Sequence, residues 1–306
     1  MRQTCLNTIY EIAKKDSKVI FIGSDLGPGV LDEFKKKFPD RFFMEGVSEQ
    51  YIIGMAAGMA KCGYRPYVNT ISTFLTRRCF DQIVIDLCLH NLPVKLVANG
   101  GGLVYAPLGP THQSFEDIAI LRPLPNLTIL TPCDAVEMKQ LVELSNTLKG
   151  PVYIRIARGG DKLISQKYKI KKIGDPTVFS NGNKVCLLSM GITAQVSQEV
   201  ISYYKKRNKN FGHIHFNCVK PINEKKLYNY IKNYNKIITV EEHVLTGGLG
   251  SLISEFLFKK KLNKKIDLYM YGLPDKFPDK YGEQSDLILY FGLDSKSIIK
   301  KINKLL

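Results

Sequence analysis

Glu49 has the residue type and the position of a catalytic acid. It lies in the run 41–50 (Arg-Phe-Phe-Met-Glu-Gly-Val-Ser-Glu-Gln), where a short apolar strand ends and an amphipathic helix with Ser48 as its N-cap begins. Free backbone N–H groups stabilise a carboxylate at a helix N-terminus, and this alone would explain a glutamate here. The carboxyl end of a strand in an α/β sheet is also where ligands bind. We therefore expect Glu49 to belong to a ligand site.

A second group of candidates follows the next predicted strand, in the run 72–82 (Ser-Thr-Phe-Leu-Thr-Arg-Arg-Cys-Phe-Asp-Gln). Phe74 opens a helix, and it is either a core residue or one wall of a pocket for a flat ring at the sheet edge of Glu49. Arginines in such positions, here Arg77 and Arg78, are surface residues more often than ligands. Two guanidinium groups near this edge would also suit a phosphate or a carboxylate.

The segment 99–112 (Asn-Gly-Gly-Gly-Leu-Val-Tyr-Ala-Pro-Leu-Gly-Pro-Thr-His) is the least regular part of the sequence. Its glycines and prolines permit a close approach to a ligand near a strand's carboxyl end. His112, at its end, is equally compatible with a structural and a catalytic role. His213 and His215 alternate along a predicted strand without an apparent third ligand. We therefore predict no metal site.

These residues are positioned by alternating strands and helices with short connections. In the first half the predicted strands are 19–22, 42–47, 66–70, 94–98, 127–131 and 152–156. The predicted helices between them are 31–38, 49–62, 74–90, 115–121 and 135–148. Such alternation favours a mainly parallel sheet with helices on both faces.

A second alternation begins after a polar stretch that contains glycine and proline. Its predicted strands are 185–189, 213–216, 236–240 and 266–270, and its predicted helices are 194–204, 224–230 and 249–258. We predict an α/β protein of two doubly wound domains, residues 1–165 and 184–306, joined by a linker at 166–183.

The helix after Glu49 carries a patch of small residues, Gly54, Ala57 and Gly58. A glycine costs about 1 kcal/mol relative to alanine in a helix interior, so two of them call for a packing reason. We expect a close helix–helix contact there, formed between subunits.

The composition is that of a soluble globular protein, with 44% hydrophobic residues and no apolar stretch of the roughly 18 residues that a membrane span needs. The N-terminus lacks the apolar block of a signal peptide, so we expect a cytoplasmic location. The seven cysteines form no Cys-x-x-Cys pair, so we expect reduced thiols. Much of the net charge of +16 comes from lysine-rich helix faces. We expect neither a nucleic-acid nor a membrane partner.

Four motifs occur in an order that is found in one family: Glu49 at a strand end, Phe74 in Ser-Thr-Phe-Leu, the Gly-Pro-Thr-His segment, and the run 240–250 (Val-Glu-Glu-His-Val-Leu-Thr-Gly-Gly-Leu-Gly). Over nearly its whole length the sequence resembles the C-terminal half of transketolase and of 1-deoxyxylulose-5-phosphate synthase. The resemblance implies a domain that binds the aminopyrimidine of thiamine diphosphate, followed by the transketolase C-terminal domain. The family's diphosphate-binding domain, with its Gly-Asp-Gly…Asn segment, is not found, which implies the smaller subunit of a split transketolase.

The resemblance implies roles for the cofactor-binding residues. Glu49 matches the glutamate that hydrogen-bonds the pyrimidine N1′ and favours the imino tautomer, whose 4′-nitrogen removes the thiazolium C2 proton. Phe74 matches the aromatic stacked on the pyrimidine, Phe80 another wall of that pocket, and Asp25 an acid near the thiazolium. Arg77 is predicted to contact both cofactor and substrate. Mg²⁺ and the diphosphate would be held mainly by an N-terminal partner subunit, in an α2β2 heterotetramer.

The resemblance also implies a set of substrate residues. Arg2 and Arg158 match arginines that hold a sugar phosphate. His112 matches a histidine that faces the reacting carbons of the donor. Arg77 and Arg78 are further candidates for the substrate's charged groups.

Three positions depart from the family pattern. Leu108 stands where transketolases have an aspartate that contacts a donor hydroxyl, and is predicted to line the substrate site. Gly100 replaces a histidine of the same loop, and Gly29 replaces a serine that contacts phosphate. The cofactor half of the site is therefore intact and the sugar half altered, which implies ketol transfer on an atypical sugar phosphate.

Other functions remain open. A 2-oxo acid dehydrogenase β-subunit or an enzyme like deoxyxylulose-phosphate synthase shares this layout, although the dehydrogenases differ in the Gly-Pro-Thr-His segment. A non-catalytic basic binding module would rest on the charge alone and would tolerate Glu49→Gln.

Overall fold

The computed structural model describes residues 1–24, 29, 31–157 and 161–306. The helices in these ranges are α1 (Arg2–Ala13), α2 (Asp32–Lys37), α3 (Glu49–Lys61), α4 (Phe80–Gln82), α5 (Asp117–Leu121), α6 (Ala135–Ser145), α7 (Thr193–Lys205), α8 (Glu224–Ile231), α9 (Leu249–Lys259), α10 (Gln284–Tyr290) and α11 (Ser295–Asn303). The strands are β1 (Val19–Gly23), β2 (Phe42–Met44), β3 (Arg65–Ile71), β4 (Lys95–Asn99), β5 (Thr128–Leu130), β6 (Val152–Ile156), β7 (Thr177–Ser180), β8 (Val185–Met190), β9 (Gly212–Phe216), β10 (Cys218–Lys220), β11 (Lys236–Val244) and β12 (Asp267–Leu273). Short 3₁₀ turns cover Pro39–Arg41 and Ala106–Leu108.

Within the described residues the strands form two sheets, and the predicted α/β class is confirmed. The larger sheet has seven strands in the order β10-β5-β6-β4-β3-β1-β2, and the smaller has five in the order β12-β11-β8-β9-β7. The β10–β5 and β7–β9 pairs are antiparallel, and the other pairs are parallel. Strands β1, β4 and β8 are buried along their whole length, as expected where helices cover both faces of a sheet.

The two halves of the chain interlock. β10 comes from the second half, yet it pairs with β5 at the edge of the larger sheet. One buried apolar cluster contains residues of both sheets, among them Ile129 and Leu188. The domain boundaries predicted at 165 and 184 stay a proposal, because a strand and a shared core cross between the two units.

The sequence pattern did not predict α1, β7, β10, α10 or α11. Helix α1 buries Leu6 and Ile9 in a cluster with Leu141 of α6, but its N-cap, Met1, makes no side-chain hydrogen bond, so the usual start signal is missing. β7 lies inside the predicted linker. β7 and β10 have four and three residues, too few for an alternating pattern to stand out.

The segment after β3 differs from the single regular helix that the sequence predicts for 74–90. Two π-helical stretches, Phe74–Arg78 and Ile83–Cys88, flank α4. π-helical turns are rare and occur often at functional sites. This irregular helix begins at Phe74, directly beside the carboxyl end of β3.

A bilayer-spanning helix is not found in the described ranges, where every helix is too short or too polar to cross a membrane.

Candidate active site

The predicted site residues gather at one edge of the larger sheet. Strands β2, β1, β3 and β4 are neighbouring and parallel, so their carboxyl ends meet at the same edge. Glu49 follows β2, Phe74 follows β3, and residues 100–112, named here the Gly-rich loop, follow β4. This is the edge at which doubly wound sheets bind ligands.

Glu49 is the first residue of α3, and only 4% of its surface is exposed. Its carboxylate Oε2 accepts a hydrogen bond from Nη1 of Arg78 at 3.1 Å. The helix N-terminus adds a favourable partial charge. Ser48 occupies the N-cap position as predicted, but its hydroxyl donates to the Glu45 carbonyl and does not cap the helix. The acid is therefore held by a helix end and one cation.

Four predicted residues contact one another in series: Glu49, Arg78, Phe74 and His112, named here the acid–aromatic cluster. The guanidinium carbon of Arg78 lies 4.0 Å from the centre of the Phe74 ring, so the cation that binds Glu49 also covers the aromatic. The Phe74 and His112 rings meet edge-on, with centroids 5.2 Å apart and planes at 66°. The cluster thus combines an acid, a flat apolar ring and an imidazole.

Arg77 holds the end of the Gly-rich loop. Its Nε donates to the Glu116 carboxylate, and its Nη1 and Nη2 donate to the carbonyl oxygens of Pro110 (3.3 Å) and Gln113 (3.2 Å). These bonds fix the backbone on both sides of His112. Arg77 therefore positions the loop here, while its contacts with a cofactor or substrate stay predictions.

Tyr105 fills the space that a side chain at position 100 would need. A Cβ built on Gly100 would lie 2.1 Å from the Tyr105 ring, and the φ of Gly100 is +80°. Both features favour glycine at this position. The place matched to a family histidine is therefore covered by a tyrosine ring.

A cavity of about 390 Å³ opens beside the Gly-rich loop and is lined in part by Arg2, Tyr105, Leu108 and Glu283. Nε of Arg2 is buried and has no hydrogen-bond partner among the residues that the structure describes. Leu108 is 51% exposed. Two predicted substrate residues thus share one cavity, and an unpartnered guanidinium nitrogen is a donor that a ligand can satisfy.

The remaining predicted site residues have no described contact with the acid–aromatic cluster. Phe80 begins α4 and is 39% exposed. Gly29 has a φ of +83°. Asp25 and Arg158 lie outside the described residues. The roles of these four positions stay predictions.

A buried polar network beneath the Gly-rich loop was not predicted from the sequence. Asp117 Oδ2 accepts hydrogen bonds from the Tyr153 hydroxyl (2.7 Å) and from Nε of Arg155 (2.8 Å). Arg155 Nη2 donates to the carbonyl oxygens of Ser114 (3.2 Å) and Glu242 (3.0 Å). Burial raises the pKa of Tyr153 well above its ordinary value, which keeps its hydroxyl a donor. One feature of the sequence could have indicated this network: Arg155 is the single charged residue in the otherwise apolar run of β6.

No third ligand was apparent from the sequence for the pair His213 and His215, and the structure places Cys133 and Glu137 beside His215. Potential ligand atoms of Cys133, Glu137 and His215 lie within 4.8 Å of one another. All three residues are buried, and Glu137 Oε2 already accepts from the Cys133 amide (2.8 Å) and lies 3.0 Å from His215 Nε2. Burial raises the pKa of the Cys133 thiol, which opposes the thiolate that binds metals. The group is bonded internally, and the prediction of no metal site stays a prediction.

The sequence matches two domain families along its length. Residues 1–160 match the family described as "Transketolase, pyrimidine binding domain", and residues 176–298 match "Transketolase, C-terminal domain". Among curated relatives, the 1-deoxy-D-xylulose-5-phosphate synthase of Caldanaerobacter subterraneus subsp. tengcongensis is 37% identical over 298 residues, which is 96% of this chain and 47% of the relative. The enzyme of the same name from Shouchella clausii is 36% identical over 296 residues, or 95% and 46% of the two chains. The chain spans about half the length of these relatives.

Solved structures share the fold over the whole chain. One described as "Split gene transketolase, inactive beta4 tetramer" has a TM-score of 0.89 and 28% identity, covering 99% of this chain and 97% of that one. Transketolase from Campylobacter jejuni subsp. jejuni has a TM-score of 0.80, 18% identity and coverages of 99% and 46%, a likeness of fold alone. With both domain families matched in order along its sequence, this chain belongs to the transketolase family.

Proposed function

We propose that this chain is the C-terminal subunit of a two-chain, thiamine diphosphate-dependent transketolase, which transfers a two-carbon ketol unit between sugar phosphates. The observation that carries the proposal is the match to a split-gene transketolase chain of nearly the same extent. The acid–aromatic cluster also supports the proposal, because binding an aminopyrimidine requires an acid to hydrogen-bond the ring and a flat apolar side chain to stack on it.

The side chains at the sheet edge suit a pyrimidine. Arg78, a planar group, makes a hydrogen bond to Glu49 and a stack on Phe74, the two contacts that an aminopyrimidine would make. The side chain of Arg78 is 49% exposed, so it is free to turn away. Glu49 and Phe74 would then hold the ring, with Asp25 and Phe80 as further contacts.

The chemistry divides between cofactor and protein. When bound, thiamine diphosphate supplies an electron sink for the carbon–carbon bond that is cleaved and formed. Glu49 would hold a proton at a ring nitrogen of the bound pyrimidine, and its burial, at 4% exposure, would keep competing water away. His112 packs against Phe74, and the bonds of Arg77 fix the loop on both sides of it. In this position it would face the substrate. Such proton management typically contributes ~10²–10⁴-fold to a rate.

The partner subunit would hold the diphosphate and Mg²⁺ and would carry the Gly-Asp-Gly…Asn segment. We assign a subunit contact to α3, because Gly54 and Gly58 are exposed and a Cβ on either would meet nothing within 4 Å. Tyr51, three residues before Gly54, is 60% exposed. Ala57, predicted in the same patch, is instead buried in the chain's own core because it faces the sheet. This face suits a close helix contact in a cytoplasmic α2β2 assembly.

The substrate end of the site supports an atypical sugar phosphate. The cavity beside the Gly-rich loop offers the unpartnered Nε of Arg2 for a phosphate. Leu108 and the Tyr105 ring line the same cavity, in a region where the family pattern has an aspartate and a histidine. A sugar with fewer hydroxyls near its reacting carbons would suit this apolar lining. Arg78 and Arg158 are proposed as further phosphate contacts.

Reconstitution tests the two-chain proposal. The purified chain is expected to show no ketol transfer by itself. Mixing it with a chain that carries Gly-Asp-Gly…Asn, thiamine diphosphate and Mg²⁺ should restore turnover across a panel of ketose phosphate donors and aldose acceptors. Full activity of this chain alone would contradict the split site, and a folded, cofactor-bound pair inactive on every sugar would contradict the ketol-transfer assignment.

The curated relatives favour one second candidate, a deoxyxylulose-phosphate-synthase-like enzyme, because their identity reaches 37%. The same reconstituted pair distinguishes it. Formation of 1-deoxyxylulose 5-phosphate would support the second candidate, and release of CO₂ from pyruvate without that product would favour a 2-oxo acid dehydrogenase subunit. Ketol transfer without pyruvate consumption would support the transketolase.

A further inference from the structure

The end of β11 reaches from the C-terminal domain to the Gly-rich loop. Glu242 is 1% exposed, and its carboxylate Oε1 accepts hydrogen bonds from the Leu103 amide (2.8 Å) and from Nε2 of Gln284 (2.7 Å). Its main-chain carbonyl accepts from Nη2 of Arg155 at 3.0 Å. One residue of the second domain thus bonds to the loop and to the strand beneath it.

The loop is shaped to receive this carboxylate. A Cβ built on Gly102 would lie 2.5 Å from Cδ of Glu242, and the φ of Gly102 is +76°. Gly102 also exchanges two backbone hydrogen bonds with Ser114, at 2.7 and 2.9 Å. The glycine therefore lets the chain turn over the acid, and the turn aims the Leu103 amide at its oxygen.

The Gly-rich loop consequently has two anchors, one near its start and one near its end. Arg77, from the first domain, binds the carbonyls of Pro110 and Gln113 around His112. Glu242, from the second domain, binds Leu103 near the start of the loop. Tyr105 and Leu108, which line the cavity, lie between the two anchors in sequence.

We propose that Glu242 is a positioning residue that sets the conformation of the Gly-rich loop and so places His112 and the cavity lining for the substrate. The inference rests on the proposed function for its link to turnover, but the loop geometry stands without it. The C-terminal domain then acts on the site through one buried acid without touching the cofactor. Because Leu103 is fully buried, removing the acid leaves its amide unsatisfied, and the loop should open.

The test measures amide hydrogen exchange in the full chain. Glu242→Ala is expected to accelerate exchange of the Leu103 amide and its loop peptide by about ten-fold or more, the effect of losing one buried hydrogen bond. Glu242→Asp, whose carboxylate is one methylene shorter, decides the question if the alanine variant does not fold. Glu242→Gln keeps an acceptor oxygen and should restore most of the protection.

The neighbouring Glu241 provides a matched control. It is equally buried, but its carboxylate accepts from the Leu249 and Gly250 amides at the start of α9, within its own domain. Glu241→Ala should expose the start of α9 and leave loop exchange unchanged. Loop exchange that stays at the wild-type rate in folded Glu242→Ala or Glu242→Asp, or that rises equally in Glu241→Ala, would overturn the proposal.

A kinetic measurement in the reconstituted pair separates positioning from general damage. Glu242→Asp should lower kcat and raise the KM of the sugar, with the affinity for thiamine diphosphate unchanged, and Glu242→Gln should recover kcat. A loss of cofactor affinity alone would contradict the proposal. If the wild-type pair transfers no ketol unit, the proposed function fails, while the exchange results still decide whether Glu242 holds the loop.

Discussion

Arg78 makes with Glu49 and Phe74 the contacts that the proposed cofactor ring would make, so cation and ring would compete for the same two side chains. Glu49 and Phe74 could be named as candidates from sequence, because a strand-end position and a helix start are local features. The engagement of Arg78 could not be predicted. The rotamer of a long side chain depends on which partners the tertiary fold places within its reach. Phe74 is in the same helical stretch as Arg78, but Glu49 comes from α3.

Arg78→Ala should strengthen cofactor binding, because it removes the competitor from both Glu49 and Phe74. A half-exposed ion pair contributes about 0–1 kcal/mol, which corresponds to a gain of up to about five-fold in affinity. Titration of the reconstituted pair with thiamine diphosphate would measure it. Lys61→Ala, an exposed cation at the far end of α3, is the control. Weaker binding in Arg78→Ala would mean that Arg78 itself holds the ligand.

At the scale of elements, β11 shows where the sequence pattern fails. The predicted strand ends at 240, whereas the observed one continues to Val244 through Glu241, Glu242 and His243. Three consecutive polar residues indicate a surface turn when the sequence is considered alone. They are buried because α9, the Gly-rich loop and α5 supply their partners. The Leu103 and Ala119 amides, which bond Glu242 and His243, lie across the domain boundary and could not be foreseen from the local pattern.

His243 should make the fold sensitive to acid. Its Nε2 accepts from the Ala119 amide (3.2 Å) and its Nδ1 bonds the Val244 carbonyl (2.6 Å), an arrangement that requires the neutral ring. Burial lowers the pKa of His243 to about 4, although Asp117 at 3.9 Å opposes the shift. Because the folded pKa is depressed, this stabilisation is complete above pH 6.5 and is lost as the pH falls to 4, up to about 3 kcal/mol.

The free energy of unfolding in urea, measured between pH 7 and 4, checks this expectation. His243→Gln should flatten the decline in that window, since it cannot take up the proton. His90→Gln, at an exposed position, should leave the decline unchanged. An identical pH dependence in wild type and His243→Gln would contradict the assignment.

For the whole molecule, alternating strands and helices sufficed to predict two doubly wound units, because each element carries its own periodicity. The pairing of a strand from the second half of the chain with the first sheet was not predictable in the same way. β10 joins the first sheet by pairing with Ile129 and Leu130, which lie about ninety residues earlier in the chain. The proposed partner subunit could not be identified in this way either, because the exposed glycines Gly54 and Gly58 on α3 do not specify what would pack against them.

Glu49→Gln in the reconstituted pair tests the central claim most directly, namely that a buried acid at this sheet edge controls a bound pyrimidine. Glu45→Gln, an exposed acid four residues earlier, is the control. Turnover of Glu49→Gln should fall by ~10²–10⁴-fold with folding and assembly retained, while Glu45→Gln keeps wild-type turnover. Wild-type turnover in Glu49→Gln would contradict the account.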